Sequence, residues 1–312
     1  MTHLHDRTAR LLLKLGLGLV LGLATPLLTH AQPSAEALRA TAGRAPDLVF
    51  PTTVSALEDA KAAMAIYKPE GTGPFPALVL HHQCSGLHNG LRQNESMLEW
   101  ARIAVRHGYV AFLIDTLGPR GVDTVCMGPK GNITFMRGVR DALQAAAHLQ
   151  KFDFVDKTRI AHAGYSWGAM VGVALSGNQW ATALGEGTRF KAAVSLYPGC
   201  FTLKPPSGMP YELVNPDIDK PLLVMMGADD TETPPSDCIP KLEAAKNNGA
   251  PVEWHLYAGT THCWDCRHLN NFRKTDVRGN SVVYRYDEAN TRDAERRMFE
   301  FLDRALQVKA PS

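Results

Sequence analysis

The sequence predicts an α/β fold in which a single domain is built on a mainly parallel, doubly wound sheet. Two observations support this prediction. Short, largely apolar runs of strand length, such as residues 76–82 and 109–115, suit strands that are covered on both faces. These runs alternate with amphipathic stretches of helical length, such as residues 94–106 and 135–150. Such alternation makes consecutive strands parallel, with helices packed on both sides of the sheet.

The elements follow one another in a regular order. Strands are predicted at residues 63–69, 76–82, 109–115, 159–163, 191–198, 221–227 and 252–257. Helices are predicted at 94–106, 135–150, directly after Ser166, around 243–246 and at 287–307. The helix at 94–106 ends before Gly108, a common terminator, and the last helix carries Met298, Phe301 and Leu302 on one side. No shift of composition divides the 312 residues, so we expect one domain over residues 59–308.

The amino terminus has the pattern of a secretory signal peptide. Residues 3–14 carry positive charge, residues 15–28 form an apolar run, and residues 29–31 offer small side chains for cleavage after Ala31. An uncleaved membrane anchor is the alternative, but the run is shorter than the ~20 apolar residues that a membrane span needs. We therefore expect a signal peptide at 1–31, export to the periplasm or the medium, and no membrane contact after cleavage. Residues 32–58 are predicted to be a loosely held N-terminal extension.

The charge balance excludes one class of partner. The chain has 33 basic and 31 acidic residues, and no basic stripe or acidic tail is present. Nucleic acid is therefore not an expected partner.

Six cysteines, read together with export, predict disulfide bonds. An even number of cysteines in an oxidising compartment favours disulfides over catalytic thiols, although six cysteines allow 15 pairings. Cys263 and Cys266 are the expected local pair. Their C-x-x-C spacing is the alternative signature of a metal site, but one such pair alone is a weak zinc signal, so no metal is expected. The cluster of His81, His82, Cys84 and His88 is interpreted as packing or hydrogen-bonding residues rather than as a set of ligands.

One short motif predicts chemistry. Residues 164–168 read Gly-Tyr-Ser-Trp-Gly, the G-x-S-x-G pattern of a nucleophile elbow, in which a sharp turn between a strand and a helix exposes a serine hydroxyl. The pattern by itself also occurs in ordinary surface turns. It needs a base and an acid in the right places before it indicates catalysis.

Two further residues supply that context. Active sites of such sheets lie at the carboxyl ends of the strands. Asp230 follows the strand that ends at Gly227, and His262 follows the strand that ends at Tyr257. Taken alone, Asp230 is an ordinary turn residue and His262 an ordinary loop residue. In the order Ser166, Asp230, His262, each just beyond a strand, they predict a catalytic triad.

At this point the sequence resembles a known family. The motifs at 164–168, 227–231, 257–262 and 82–87 are similar to those of the dienelactone hydrolase family of α/β-hydrolases, and the loop at 115–121 resembles one common in its exported members. The resemblance covers about residues 60–306 and implies the α/β-hydrolase fold. It also implies that the acid is the residue three positions after Gly227, which is Asp230, with Asp229 as the fallback. Family members that cleave dienelactone use a cysteine nucleophile, whereas this chain has Ser166, so the substrate stays open.

The expected activity is a serine hydrolase that cleaves a carboxylic ester or lactone through an acyl-enzyme, with a small-molecule substrate and no cofactor. The expected oxyanion donors are the backbone N–H groups of Trp167 and Cys84. Two alternatives stay open: a peptidase of the same fold, and an inactive α/β-hydrolase that serves as a binding module. The sequence does not determine the oligomeric state.

Other candidate contacts are less specific. Arg120 could bind a substrate carboxylate or form a structural salt bridge. Trp167 and Trp264 could wall the pocket or pack in the interior. Residues 202–216 and 268–283 are insertions near strand ends that could form a rim or lid.

Overall fold

The computed structural model describes residues 34–42, 44–90, 92–204 and 210–308. The predicted signal peptide at residues 1–31 lies outside the described residues.

A seven-stranded sheet forms the centre of the domain. Its strands are β1 (Ala65–Tyr67), β2 (Phe75–His81), β3 (Val110–Ile114), β4 (Val155–Tyr165), β5 (Ala193–Leu196), β6 (Leu222–Gly227) and β7 (Val252–Tyr257). They lie side by side in the order β1-β3-β2-β4-β5-β6-β7. Strand β1 is antiparallel to β3, and all other neighbours are parallel. The prediction of a mainly parallel, doubly wound sheet is confirmed.

Seven α-helices accompany the sheet in the described residues. They are α1 (Ala35–Ala42), α2 (Glu95–Arg106), α3 (Phe135–Leu149), α4 (Trp167–Leu175), α5 (Asn178–Leu184), α6 (Pro235–Asn247) and α7 (Glu288–Leu306). One buried cluster holds side chains of α3, α4 and α5, such as Val139, Val171 and Trp180. A second cluster holds side chains of α2 and α7, such as Trp100 and Met298. The two clusters use alternate residues of the same strands, so the sheet is covered on both faces.

Side-chain caps fix where two of these helices begin. The side-chain oxygen of Asn94 accepts from the backbone N–H of Met97 at the start of α2. Asp287 accepts from Asn290 N at 2.9 Å at the start of α7. Each cap satisfies a backbone donor that the first helical turn leaves without a partner. The predicted starts at residues 94 and 287 are therefore the capping residues.

The prediction of a loosely held extension is wrong for its described part. Helix α1 packs on α3 and α5, and Leu38 and Ala42 are buried. The buried guanidinium of Arg137 donates to the carbonyl oxygens of Ala42 (3.2 Å) and Ala45 (3.0 Å). An alanine-rich segment has high helix propensity, and the buried Arg137 needs acceptors, which together explain why the segment folds onto the domain.

All six cysteines form disulfides, which confirms that prediction. The pairs are Cys84–Cys126, Cys200–Cys238 and Cys263–Cys266, and the last is the local pair expected from the sequence. The insertions at 202–216 and 268–283 each contain a short two-stranded hairpin, Thr202–Leu203 with Tyr211–Glu212 and Arg273–Thr275 with Ser281–Val283. In the part of the chain that the structure describes, no helix is long and apolar enough to cross a bilayer.

Candidate active site

Ser166 occupies the turn between β4 and α4 with a strained backbone. Its φ of 53° lies in the left-handed region, which a non-glycine residue adopts only when the surroundings enforce it. A Cβ at Gly164 would collide with the Gly168 carbonyl oxygen, and a Cβ at Gly168 would collide with the His81 carbonyl oxygen. Both glycines of the motif are therefore needed for the close approach that holds the serine at the carboxyl edge of the sheet.

His262 and Asp230 meet Ser166 at that edge. His262 Nε2 lies 3.0 Å from Ser166 Oγ, and His262 Nδ1 lies 2.7 Å from Asp230 Oδ2. An ionised carboxylate only accepts hydrogen bonds, so Nδ1 carries the proton and Nε2 is left to accept from the serine hydroxyl. All three residues are buried, with Ser166 7% exposed at the floor of a cavity. These contacts have the geometry that a nucleophile, its base and an orienting acid require.

The structure distinguishes between the two candidate acids. The Asp230 carboxylate is buried and bonded to His262, whereas Asp229 is exposed. Asp230 Oδ1 also accepts from the backbone N–H groups of Glu232 and Thr233, both at 2.9 Å. The Thr233 hydroxyl lies 2.8 Å from Asp230 Oδ2 and 3.0 Å from His262 Nδ1. These bonds fix the carboxylate that faces the imidazole.

A second carboxylate, which no sequence motif indicated, faces the other side of His262. Glu232 Oε2 lies 3.8 Å from His262 Nε2. Glu232 Oε1 accepts from Lys274 Nζ at 2.7 Å, and Oε2 accepts from the Tyr284 hydroxyl at 2.8 Å. The only sequence signal was the position of Glu232, two residues after Asp230.

The charges around His262 change its affinity for a proton. Burial alone would lower the pKa of His262, but the carboxylates of Asp230 and Glu232 outweigh burial and raise this pKa above its usual value, against a smaller opposing effect of Lys274. Burial likewise would raise the pKa of Glu232, yet the neighbouring His262 and Lys274 hold it below its usual value. Glu232 is therefore ionised at neutral pH, beside the imidazole.

The loop after β2 brings Cys84 to the same cavity. Cys84 lines the cavity together with Ser166 and His262. Among the described residues, neither the Cys84 N–H nor the Trp167 N–H donates a hydrogen bond. The Cys84 carbonyl oxygen accepts from Val125 N at 2.8 Å, and the disulfide to Cys126 ties the loop to the same segment. Both predicted oxyanion donors thus have free N–H groups.

His82 holds the peptide that joins Gln83 to Cys84. The Thr116 N–H donates to His82 Nε2 at 3.1 Å, so the ring proton is on Nδ1, which donates to the Gln83 carbonyl oxygen at 2.6 Å. His82 is fully buried, and burial lowers its pKa. The ring is therefore neutral. The histidines at 81 and 82 act in packing and hydrogen bonding, in keeping with the interpretation from the sequence.

The cavity above Ser166 is small and has apolar and sulfur-lined walls. Its volume is about 240 Å³. The lining includes Leu87, Leu269, Phe272 and the disulfides Cys84–Cys126 and Cys263–Cys266. Leu269, Phe272 and Lys274 belong to the insertion at 268–283, which therefore forms part of the rim. No described residue of the other insertion, 202–204 and 210–216, lines this cavity.

Neither tryptophan lines the cavity: Trp264 is buried, and Trp167 is partly buried. The Trp167 indole stacks on the His82 ring with centroids 6.2 Å apart, and Trp264 is fully buried against Tyr197 and Tyr257.

Arg120 forms a structural salt bridge, the second of its two sequence interpretations, so the first, a substrate contact, needs correction. Its guanidinium makes a two-point contact with the buried carboxylate of Asp141, at 2.6 and 2.9 Å. It also donates to the carbonyl oxygens of Pro46 and Thr116. Arg120 does not line the cavity. The planar fork of a guanidinium matches a carboxylate, and here the partner is internal.

The C-x-x-C pair is not arranged to bind a metal. Within the described residues, one group of metal-ligating side chains is close enough to hold an ion: Cys263, Asp265 and Cys266. The two sulfurs are bonded to each other, and the Asp265 carboxylate accepts from Trp100 Nε1 and the Tyr197 hydroxyl. These donors already satisfy the carboxylate.

A family profile and several solved structures are similar to this chain. The sequence profile described as dienelactone hydrolase family matches residues 62–306. A structure of a putative dienelactone hydrolase from Klebsiella pneumoniae is 19% identical, with 77% of this chain and 92% of that chain covered and a TM-score of 0.56. A thermophilic esterase from Thermogutta terrifontis with butyrate bound is 16% identical, with 79% and 91% covered and a TM-score of 0.53. A dienelactone hydrolase-like promiscuous phosphotriesterase from metagenomic libraries is 17% identical, with 75% and 88% covered and a TM-score of 0.54.

Proposed function

The chain belongs to the dienelactone hydrolase family and is a carboxylic-ester hydrolase; from this premise we propose that it uses a Ser166–His262–Asp230 triad and an acyl-enzyme intermediate. The observation that carries the proposal is the pair of contacts made by His262, 3.0 Å to Ser166 Oγ and 2.7 Å to Asp230 Oδ2. They lie within the hydrogen-bond distance that proton transfer between a nucleophile and its base requires.

Acylation begins with attack of Ser166 Oγ on the carbonyl carbon of the ester. The hydroxyl proton passes to His262 Nε2, and the carbonyl π electrons move to the oxygen of a tetrahedral intermediate. Asp230 stabilises the imidazolium that forms. When the intermediate collapses, the bond to the alkoxy oxygen breaks, and the imidazolium returns its proton to that oxygen. An alcohol leaves, and the acyl group stays on Ser166.

Deacylation repeats these steps with water. Water adds to the acyl carbon while its proton passes to His262 Nε2. Collapse of the second intermediate breaks the bond to Ser166 Oγ, which takes the proton back, and a carboxylic acid leaves. A cyclic ester yields a single hydroxy acid by the same sequence.

The N–H groups of Cys84 and Trp167 are the proposed oxyanion donors. Negative charge develops on the carbonyl oxygen in both intermediates, and donors already aimed at it need no reorganisation during the reaction. Helix α4 begins at Trp167, so this N–H has no partner inside the helix, which supports the assignment.

The cavity size favours short acyl groups. Sites for drug-sized ligands usually measure ~300–1,000 Å³, and the cavity here is about 240 Å³. We propose that small esters or lactones are the substrates.

We also propose that the protein is exported, to the periplasm or the medium, after cleavage following Ala31. Three disulfides support an oxidising environment. Cell fractionation and amino-terminal sequencing test this, and a mature protein beginning at Gln32 is the expected result.

The activity is tested with p-nitrophenyl acetate and a panel of short esters and lactones. We expect a burst of p-nitrophenol followed by steady turnover, with both lost in Ser166→Ala. Short peptide substrates are assayed beside this panel, and a peptidase would prefer them to the esters. A binding module would give no turnover with any ester in purified, oxidised protein, and that result would reject the proposal.

A further inference from the structure

Glu232 faces the nitrogen of His262 that exchanges protons with Ser166. Its Oε2 lies 3.8 Å from His262 Nε2, whereas Asp230 contacts the opposite nitrogen, Nδ1, at 2.7 Å. The imidazole therefore lies between two carboxylates. Only the Asp230 carboxylate corresponds to the acid of a Ser-His-Asp triad.

Two side chains fix the position of Glu232. One belongs to the insertion at 268–283, and the other belongs to the residue that directly follows this insertion. Lys274 Nζ donates to Oε1 at 2.7 Å, and the Tyr284 hydroxyl donates to Oε2 at 2.8 Å. Lys274 also lies over the Tyr284 ring, 5.2 Å from its centroid. The Glu232 side chain is 14% exposed, so the carboxylate is shielded from bulk water. We call these three residues, Glu232, Lys274 and Tyr284, the Glu232 clamp.

The clamp has a chemical consequence for the base. An imidazolium forms twice in each turnover, once in acylation and once in deacylation. A fixed negative charge close to Nε2 stabilises that imidazolium, and in a site screened from water the effect is larger than it would be on the surface. Tyr284 keeps Oε2 on the side of His262, and Lys274 binds the other oxygen.

We propose that Glu232 is a positioning residue of the ester hydrolase, acting as a second carboxylate that stabilises protonated His262 from its Nε2 side while Lys274 limits the effect. The inference rests on the proposed function, since it assumes that His262 is the base. It goes beyond the triad because it assigns a role to residues outside it.

Other ionisable groups also face His262. Asp230 lies on the same loop as Glu232, and Lys274 and Tyr284 come from the hairpin region. The Tyr197 ring packs edge-on against the imidazole, with centroids 4.7 Å apart, and the Tyr197 hydroxyl donates to Asp265. Burial raises the pKa of Tyr197 and of Asp265 above their usual values. The test therefore changes Glu232 and Lys274 and leaves the other groups in place.

The first test compares pH profiles of kcat/KM for the native protein and Glu232→Gln. Glutamine keeps the shape and can still accept from Tyr284, but it removes the charge. In Glu232→Gln the midpoint of the kcat/KM profile should move to lower pH by about one pH unit. An opposite charge within ~4–6 Å typically shifts a pKa by ~1–3 units. The low end of this range is expected because Lys274 already offsets part of the effect of the Glu232 charge.

The matched variant is Lys274→Met, which should move the midpoint the other way, to higher pH, because it removes the cation that opposes Glu232. A Glu253→Gln control removes a carboxylate that pairs with Arg304 on the surface. This control should leave the midpoint unchanged. Opposite movements in the two clamp variants cannot arise from general loosening of the fold.

A second readout is independent of turnover. NMR titration of the His262 ring in Ser166→Ala and in Ser166→Ala with Glu232→Gln should show the same downward movement of the imidazole pKa. Unchanged midpoints in both experiments, or movement of the two clamp variants in one direction, would overturn the inference. Retained ester turnover in Ser166→Ala would instead reject the proposed function, so the two failures are distinguishable.

Discussion

The Nδ1–H group of His82 donates to the carbonyl oxygen of Gln83 at 2.6 Å. This oxygen belongs to the same peptide unit as the N–H of Cys84, the proposed oxyanion donor. A hydrogen bond to the carbonyl oxygen of a peptide polarises it and strengthens the donor at its other end. If the Cys84 N–H serves as an oxyanion donor, His82 acts on it through one peptide unit.

We predict that His82→Leu lowers kcat by about tenfold with a smaller change in KM. The loss is below the ~10²–10³ caused by removing a donor outright, because the Cys84 N–H remains. His82→Asn, which keeps a donor near the Nδ1 position, should recover part of the rate. Steady-state kinetics on protein quantified by active-site titration measures both effects.

The control is His162→Leu, which removes another fully buried histidine that does not contact this peptide. This variant should lose stability but keep its kcat. If His82→Leu behaves like His162→Leu, the peptide is held adequately without His82.

The hydrolysis rate should rise with pH. His262 acts as a base only when neutral, and the nearby carboxylates hold its pKa above the usual value of 6.5. The neutral fraction therefore increases as pH passes upward through this raised pKa, and kcat/KM should have its midpoint above pH 6.5. A stopped assay from pH 5 to 9 measures it. A flat profile, or one that falls over this range, would contradict the role of His262.

Thr233 should contribute modestly to the rate. Its hydroxyl lies against both Asp230 and His262, and valine would remove these contacts without changing the shape. We expect Thr233→Val to lower kcat about fivefold, which corresponds to the ~1 kcal/mol of a typical hydrogen bond. Thr233→Ser, which retains the hydroxyl, should stay close to the native rate. Equal losses in the two variants would contradict a specific role of the hydroxyl, because Thr233→Ser retains it.

Two disulfides form a matched pair for separating stability from activity. Cys84–Cys126 and Cys200–Cys238 span 42 and 38 residues. Loop-closure entropy therefore predicts that each contributes a similar amount, about 4 kcal/mol, to the free energy of unfolding. Only the first lines the cavity and holds the Cys84 loop.

Replacing both cysteines of either pair by serine should therefore lower the free energy of unfolding similarly, whereas kcat should fall only for the Cys84–Cys126 pair. Denaturant unfolding and kinetics at a temperature where both variants are folded measure the two quantities. A fall in kcat for the Cys200–Cys238 variant of the same size would show that activity follows stability alone.

Arg120→Met should destabilise the protein without changing KM. It leaves the buried Asp141 carboxylate with fewer partners, and breaking a buried ion pair costs ~3–5 kcal/mol. Arg137 still contacts Asp141, so the lower figure is expected. KM for neutral and for carboxylate-bearing esters should both stay unchanged. A selective rise in KM for the charged esters would restore the substrate-binding interpretation.

The sequence was sufficient for the parts of the site that depend on strand order. Ser166, Asp230 and His262 each follow a parallel strand, and such strands end at one edge of a sheet, so their meeting could be predicted without coordinates. The Glu232 clamp could not be predicted, because Lys274 approaches Glu232 only through the folding of a hairpin 42 residues away in the chain. The role of Arg120 stayed open for the same reason, since its partner Asp141 is on a different element.

The two disulfides in the cavity wall also make the shape of the pocket depend on whether these four cysteines have been oxidised. Cys84–Cys126 and Cys263–Cys266 form only after the chain meets an oxidant. If the protein is exported, a newly made chain inside the reducing cytoplasm has all its triad residues but an incomplete pocket. The two bridges that line the cavity would then close only after export.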